Sequence, residues 1–271
     1  MDIEINEISF KRVQGYRLTP KDKKFGGTVI TFGGSEGSCL LNMGYQIAER
    51  GYHVLSLYYY GKPHLSRELD RVNLDFFNDV SEYIETNNMD MNPITIIGAS
   101  RGAELALLLS TYYEEIANVV LFSPSAYMFS GVKQYAAWTL SNKQLPFITF
   151  SFRTRLKKIL RRKTPEVDLF RTELKRNKNV PDAIIDVSNV HGSLLMFAGE
   201  KDQVWPSAEM GLKIKENAIS AKSCELYTFK NAGHIFSTFY FGGGDIDGSS
   251  FAFYQSQLLM EKYMEKWHKK C

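Results

Sequence analysis

The chain has 271 residues, 44% of them hydrophobic, and a formal net charge of +3. This length and composition suit one large α/β domain with a buried core, and no apolar window is long enough to form a membrane-spanning helix. The acidic N-terminus differs from a secretory signal peptide, and three cysteines without Cys-x-x-Cys spacing indicate reduced thiols, so we expect a cytoplasmic protein without a metal or cofactor.

Short apolar runs alternate along the chain with segments of helical periodicity. The predicted strands are residues 27–32, 52–58, 94–97, 118–122, 194–198 and 225–229. The predicted helices are residues 40–50, 69–86, 105–109, 207–216 and 250–270. This alternation is typical of a parallel sheet covered by helices on both faces. We therefore predict an α/β fold with a mostly parallel central sheet, in a single domain covering residues 1–271.

The alternation stops between about residues 126 and 186, where aromatic residues are followed by a basic run. Within it, residues 153–178 contain eleven Lys and Arg against three acidic residues, a balance of +8 that leaves about −5 for the remainder. We predict that residues 126–186 form a cap or lid insertion over the carboxyl ends of the strands, where ligands bind in such sheets.

Gly98-Ala99-Ser100-Arg101-Gly102 lies between a predicted strand and a predicted helix. Strand, Gly-x-Ser-x-Gly, helix is the pattern of a nucleophile elbow, in which a strained turn presents the serine hydroxyl. Ser100 is therefore the predicted nucleophile. The alternative is a plain strand-to-helix turn in which Ser100 only caps the helix.

A serine nucleophile needs a base and an orienting carboxylate, which follow it in the chain order Ser, acid, His. His234 comes directly after the predicted strand 225–229, in a loop at the strand's carboxyl end, and is the predicted base. The other histidines are interpreted as structural or solvated: His191 in a surface turn, His268 solvated in the last helix, His53 in a strand, and His64 in a loop that could border the pocket.

The predicted acid is Asp202, at the tip of the loop Gly199-Glu200-Lys201-Asp202 that follows the strand 194–198. Glu200 is the less favoured candidate in the same loop. A purely structural alternative is that Asp202 caps the helix that Pro206 begins. Cys39 is interpreted as a small packed hydrophobe, with a slightly activated thiol as the alternative.

An oxyanion hole needs two backbone N–H groups. One should come from Arg101, the residue after the nucleophile. The other should come from the loop Gly33-Gly34-Ser35-Glu36-Gly37, with Ser35 as first choice and Glu36 as second. This loop could also be a phosphate-binding turn, but it lacks Gly-Lys-Ser/Thr and a clean Gly-x-Gly-x-x-Gly, so nucleotide binding is a weak alternative.

Four stretches resemble the C-terminal catalytic domain of acyl-CoA thioesterases and bile acid-CoA:amino acid N-acyltransferases: residues 97–107, 136–139, 192–207 and 231–234. Among them, Gln203-Val204-Trp205-Pro206-Ser207 is more specific than the triad motifs, which many hydrolases share. The resemblance runs from about residue 27 nearly to the end. It implies an α/β-hydrolase fold and a Ser/Cys-His-Asp triad acting on acyl thioesters, and it places that triad on Ser100, Asp202 and His234.

Two features depart from the family pattern. Family members with two domains carry an N-terminal β-sandwich, whereas about 26 residues precede the first predicted strand here, so we expect that domain to be absent. The nucleophile is serine instead of the cysteine of the amino acid transferases, so we expect water to be the acceptor. The prediction is a serine hydrolase that cleaves acyl-CoA or related acyl thioesters through an acyl-serine intermediate.

Two alternatives to that function stay open. One is a general carboxylesterase that acts on small or acyl esters without coenzyme A. The other is a binding or membrane-associated module that uses the basic insertion and has no enzymatic activity. The expected partner is a small-molecule acyl thioester or ester, with no nucleic acid, and the oligomeric state is left open.

The role of the basic insertion is also open at this point. It could be the solvated flank of a lid, or it could contact an anionic membrane surface peripherally. The third interpretation is that residues 153–162, with Arg153, Arg161 and Arg162 among them, receive the phosphates of coenzyme A, because arginine forks pair well with phosphates. In that interpretation Phe147, Phe150 and Phe152 line an acyl entrance.

Overall fold

A computed structural model describes residues 2–152, 154, 156, 165–236 and 242–271 of the chain. The strands it describes are β1 (Ile3–Phe10), β2 (Val13–Pro20), β3 (Thr28–Phe32), β4 (His53–Tyr58), β5 (Val72–Asn73), β6 (Ile94–Ala99), β7 (Ile116–Phe122), β8 (Trp138–Leu140), β9 (Lys143–Gln144), β10 (Ser193–Gly199) and β11 (Ser223–Phe229). The α-helices are α1 (Leu41–Glu49), α2 (Phe76–Thr86), α3 (Arg101–Ser110), α4 (Glu166–Arg176), α5 (Ser207–Asn217) and α6 (Ile246–Trp267).

Eight strands form the main sheet, in the order β1-β2-β4-β3-β6-β7-β10-β11. From β4 to β11 every neighbouring pair is parallel, and the β1–β2 hairpin joins the β4 edge antiparallel. The six predicted strands correspond to these parallel strands, so the predicted sheet is confirmed. The hairpin was not predicted, because edge strand β1 is mostly exposed and lacks a continuous apolar run.

Helices cover both faces of the sheet and bury an apolar cluster on each. One cluster contains the buried side chains of α2, α3 and α5, and the other contains those of α1 and α6. In α2 these are Phe76, Phe77, Val80 and Ile84, spaced so that they share one side of the helix. Each such side chain contributes about 1.5–3 kcal/mol when fully buried, so the helices are held mainly by packing on the sheet.

The helix predicted over residues 69–86 begins only at Phe76. Leu69 and Val72 are buried as their spacing suggested, but they lie outside the helix. Val72 pairs with Trp138, so β5 forms a second, three-stranded sheet with β8 and β9. The prediction was wrong here because strand partners that are distant in sequence leave no local signal.

Residues 126–186 contain β8, β9 and α4, together with connecting loops. The ends of this segment approach each other, since Tyr127 forms an isolated antiparallel bridge with Ile184. Its buried side chains, among them Phe129 and Trp138, belong to the same apolar cluster as α2 and α3. The segment is therefore packed on the body of the protein over its described residues.

His268 is buried, so the prediction that it is solvated was wrong. It is 1% exposed, and its Nδ1 and Nε2 lie 2.7 Å from the Gly26 carbonyl oxygen and 2.8 Å from Thr95 Oγ1. Burial lowers the pKa of this imidazole. His191 is exposed, as predicted for a surface turn.

Cys39 is 2% exposed, and burial raises the pKa of its thiol, which fits the interpretation as a packed hydrophobe. Within the described part of the chain, no helix combines the length and the apolar character needed to cross a membrane.

Candidate active site

The predicted elbow lies at the carboxyl end of β6, where the chain turns directly into α3. Ser100 has φ 54° and ψ −117°, a strained conformation of the kind that clusters at functional sites. A Cβ atom at Gly98 would lie 2.2 Å from the Gly102 oxygen, and one at Gly102 would lie 2.2 Å from the Gly33 oxygen. Both glycines are therefore required by close packing. The Ser100 side chain makes no capping bond to α3, which argues against the capping alternative.

Ser100, His234 and Asp202 are adjacent in space although they are far apart in sequence. His234 Nε2 lies 2.8 Å from Ser100 Oγ, and His234 Nδ1 lies 2.8 Å from Asp202 Oδ2. All three are buried, with exposures of 9%, 3% and 6% for Ser100, His234 and Asp202. If Nδ1 carries the proton towards the carboxylate, Nε2 can accept the serine hydroxyl proton.

The Asp202 carboxylate is held in one orientation by its own loop. Its Oδ1 accepts hydrogen bonds from the backbone N–H groups of Val204 and Trp205, at 2.9 and 3.2 Å. Its Oδ2 accepts from Ser207 Oγ at 2.6 Å and faces His234. Ser207 was not foreseen as a site residue, and its only signal was its place after Pro206 in the family-like stretch. Glu200 is exposed and accepts from Thr228 Oγ1 at 3.0 Å instead.

Replacing Asp202 with asparagine is expected to lower turnover by about 10⁴, because an amide in this position favours the wrong histidine tautomer. Steady-state hydrolysis of an ester substrate measures the loss. Glu200→Gln is the matched control and should retain activity close to that of the wild type. A larger loss in Glu200→Gln than in Asp202→Asn would contradict the assignment of the acid.

Two groups outside the triad hold the loops of the acid and the base together. The Gly242 carbonyl oxygen accepts from the N–H groups of Gln203 and His234, both at 2.9 Å. Ser123, which follows β7, accepts from the Ile235 N–H through its Oγ at 2.9 Å. These contacts join loops that are distant in sequence, so no sequence motif could have identified them.

The loop after β3 reaches the nucleophile, as predicted, but through its second glycine. A Cβ atom at Gly34 would lie 3.3 Å from Ser100 Cβ. Ser35 is exposed, and its carbonyl oxygen accepts from the Tyr60 hydroxyl at 2.6 Å. The Gly34 N–H is therefore a further candidate beside the predicted N–H groups of Ser35 and Glu36. The Arg101 N–H lies at the first position of α3, where a helix has no intrahelical acceptor.

A buried ion pair joins the elbow to the 126–186 segment. Arg101 Nη1 lies 2.6 Å from Glu104 Oε2, and Trp138 Nε1 donates to Glu104 Oε1 at 2.6 Å. The Phe129 N–H also donates to Glu104 Oε1, at 3.2 Å. Glu104 is fully buried; burial raises the pKa of its carboxyl, and the Arg101 guanidinium opposes that rise. Sequence reasoning missed Glu104, which lies in a stretch that reads simply as an apolar helix.

Glu104→Gln is expected to lower the free energy of unfolding by about 3 kcal/mol, because it leaves the buried Arg101 charge without its partner. Urea unfolding followed by circular dichroism measures this change. Glu216→Gln, an exposed position on α5, serves as the control and should change stability by no more than about 0.5 kcal/mol. Equal stabilities of the two variants would show that the ion pair contributes little.

Aromatic side chains lead from the 126–186 segment to the histidine. Trp205 is 2% exposed, and its ring lies edge-on to His234 with centroids 5.7 Å apart. The ring centroid of Phe170 lies 5.9 Å from that of Trp205 and 4.9 Å from that of Phe150. Phe150 thus belongs to a cluster that borders the site, and Phe147 is half-buried. Arg153, Arg161 and Arg162 lie outside the described residues.

Comparisons of the sequence with a family model and with curated proteins point to the same family. The model of the family described as "BAAT / Acyl-CoA thioester hydrolase C terminal" matches residues 72–250. Acyl-coenzyme A amino acid N-acyltransferase 2 of Rattus norvegicus is 25% identical over 86% of this chain and 54% of its own length. Human acyl-coenzyme A thioesterase 1 is 25% identical over 70% of this chain and 43% of its own. The chain thus spans about half the length of the curated relatives it matches.

Solved structures show the same fold. An esterase from Pyrococcus furiosus superimposes with a TM-score of 0.60 and 15% sequence identity, covering 96% of this chain and 91% of the esterase. At that identity the likeness concerns the fold alone, which is the α/β-hydrolase fold that the family resemblance implied.

Proposed function

The chain belongs to the family of BAAT and acyl-CoA thioester hydrolase C-terminal domains, and from that premise we propose that it is a serine hydrolase of acyl thioesters. The observation that carries the proposal is the pair of 2.8 Å contacts linking Ser100, His234 and Asp202 at the carboxyl edge of the sheet. A strained elbow serine whose hydroxyl meets a buried imidazole has the arrangement of an activated nucleophile.

In the proposed reaction His234 Nε2 takes the Ser100 proton while Oγ attacks the acyl carbonyl carbon. The Arg101 N–H and a loop N–H, from Ser35 or Gly34, stabilise the oxyanion of the tetrahedral intermediate. His234 then gives its proton to the leaving thiolate, and the acyl group remains on Ser100 as an ester. Water attacks that ester while His234 takes the water proton. The bond between Ser100 Oγ and the acyl carbon then breaks, His234 returns the proton to Oγ, and the carboxylic acid leaves.

The aromatic side chains beside the imidazole support an apolar acyl group as substrate. The aromatic cluster of Phe150, Phe170 and Trp205 borders the imidazole, and apolar side chains line most small-molecule sites. The 126–186 segment that carries part of this cluster is tied to the elbow through Glu104, so we propose that it acts as a lid over the site. A general carboxylesterase would use the same triad, and it is the second candidate.

Labelling with a fluorophosphonate, followed by a panel of substrates, tests the proposal. We expect covalent labelling at Ser100 and hydrolysis of acyl-CoA thioesters in addition to p-nitrophenyl esters. Because residues 153–178 carry a charge of +8, kcat/KM for acyl-CoA should fall as salt is added, whereas that for a neutral ester should hardly change. Ester hydrolysis without thioester hydrolysis would favour the carboxylesterase, and absence of labelling would leave only a binding module.

A further inference from the structure

A carboxylate occupies a backbone donor next to the nucleophile. The Gly34 N–H donates to Glu36 Oε1 at 2.9 Å, and Ser38 Oγ donates to the same oxygen at 2.6 Å. A Cβ atom on Gly34 would lie 2.5 Å from the other carboxylate oxygen, Glu36 Oε2, and 3.3 Å from Ser100 Cβ. The negative charge of Glu36 therefore lies beside the reaction centre.

The backbone that presents this donor is held from several sides. The hydroxyl of the buried Tyr59 donates to the Gly34 carbonyl oxygen at 2.9 Å. The Gly37 N–H donates to the same oxygen at 3.2 Å, and the Gly33 N–H donates to the Ser38 oxygen at 3.1 Å. Glu36 itself is exposed. A substrate oxygen that replaces the Glu36 carboxylate as acceptor of the Gly34 N–H thus needs to displace only a surface side chain.

We propose that Glu36 is a specificity-determining residue that selects acyl groups without a negative charge near the reacting carbonyl. This inference rests on the proposed function, since it concerns the acyl group that Ser100 would receive. The Gly34 N–H would pass from the carboxylate to the substrate oxygen as that oxygen becomes an oxyanion. A carbonyl oxygen is a weaker acceptor than a carboxylate, whereas the oxyanion is a comparable one, so the Gly34 N–H would pass to the substrate only as the oxyanion forms.

The charge has a second consequence. When the Glu36 carboxylate releases the Gly34 N–H, it can move only as far as its side chain allows, so its charge stays close to Ser100. An acyl chain with a terminal carboxylate would bring a like charge near it, and two unit charges a few ångströms apart at a protein surface repel by an amount that corresponds to roughly tenfold or more in rate. A neutral acyl chain of the same length lacks this additional repulsion. Neutral acyl groups are therefore the substrate class that this site accepts best.

The test compares two esters of equal chain length, p-nitrophenyl valerate and mono-(p-nitrophenyl) glutarate. The wild-type protein should prefer the neutral valerate, and Glu36→Gln should reduce the ratio of the two kcat/KM values about tenfold. Glu216→Gln removes an exposed carboxylate elsewhere and should leave the ratio unchanged.

The outcomes separate this inference from the proposed function. If the wild-type protein hydrolyses valerate but Glu36→Gln keeps the wild-type ratio, the role of Glu36 is overturned and the hydrolase remains. If the wild-type protein is neither labelled by a fluorophosphonate nor active on either ester, the proposed function fails and this inference fails with it.

Discussion

Replacing Ser100 with alanine is expected to lower turnover by about 10⁶ and to abolish covalent labelling by a fluorophosphonate. The only change is the loss of the hydroxyl that lies 2.8 Å from His234 Nε2, since alanine keeps the Cβ atom in the same strained turn. Turnover of p-nitrophenyl valerate and mass spectrometry of the labelled protein measure the two effects.

Ser220→Ala is the matched control for this variant, because Ser220 is exposed in the turn between α5 and β11. Ser220→Ala should be labelled by the fluorophosphonate and should hydrolyse p-nitrophenyl valerate as the wild-type protein does. The urea midpoint of Ser100→Ala should also stay close to that of the wild type. Labelling of Ser100→Ala at the wild-type rate would place the nucleophile elsewhere.

His234→Ala is expected to reduce turnover nearly as much as Ser100→Ala, and the double variant should be no worse than either single one. Nucleophile and base act as a unit, so removing the second member costs little once the first is gone. The residual rate then comes from substrate binding and the oxyanion donors. Single-turnover kinetics on the three variants measure this lack of additivity.

An exposed histidine provides the control for that series. His191→Ala should keep wild-type activity, because its side chain is at the surface. If the losses of Ser100→Ala and His234→Ala instead multiply in the double variant, the two residues act independently. The hydrogen bond between them would then have no catalytic role.

The local patterns that predicted the sheet and the elbow have a short-range physical cause. A buried parallel strand is an apolar run in any protein, and β3, β6 and β10 are buried at every position. At Gly98, a Cβ atom would lie 2.2 Å from the Gly102 oxygen within the turn itself. Such constraints act on neighbouring residues, so they are visible in a single sequence.

The errors share the opposite cause. His268 lies among lysines near the end of the chain and reads as solvated, but tertiary packing buries it against Gly26 and Thr95. Leu69 and Val72 have helical spacing, yet the pairing of Val72 with Trp138 makes a strand instead. In each case the deciding partner lies more than sixty residues away in the chain.

The sequence by itself determined the alternation of strands and helices, the elbow at Ser100, and the candidates Asp202 and His234, because each depends on residue type and on position after a strand. Only the tertiary structure decided that these three side chains meet at hydrogen-bonding distance, that Ser207 and Ser123 hold the acid and base loops, and that Glu36 takes the Gly34 N–H beside Ser100. The contacts among the triad members and the contact of Ser123 depend on where loops from separate strands converge, and that convergence is set by the packing of the whole sheet. The contacts of Ser207 and Glu36 lie within one loop each and depend on the backbone conformation of that loop.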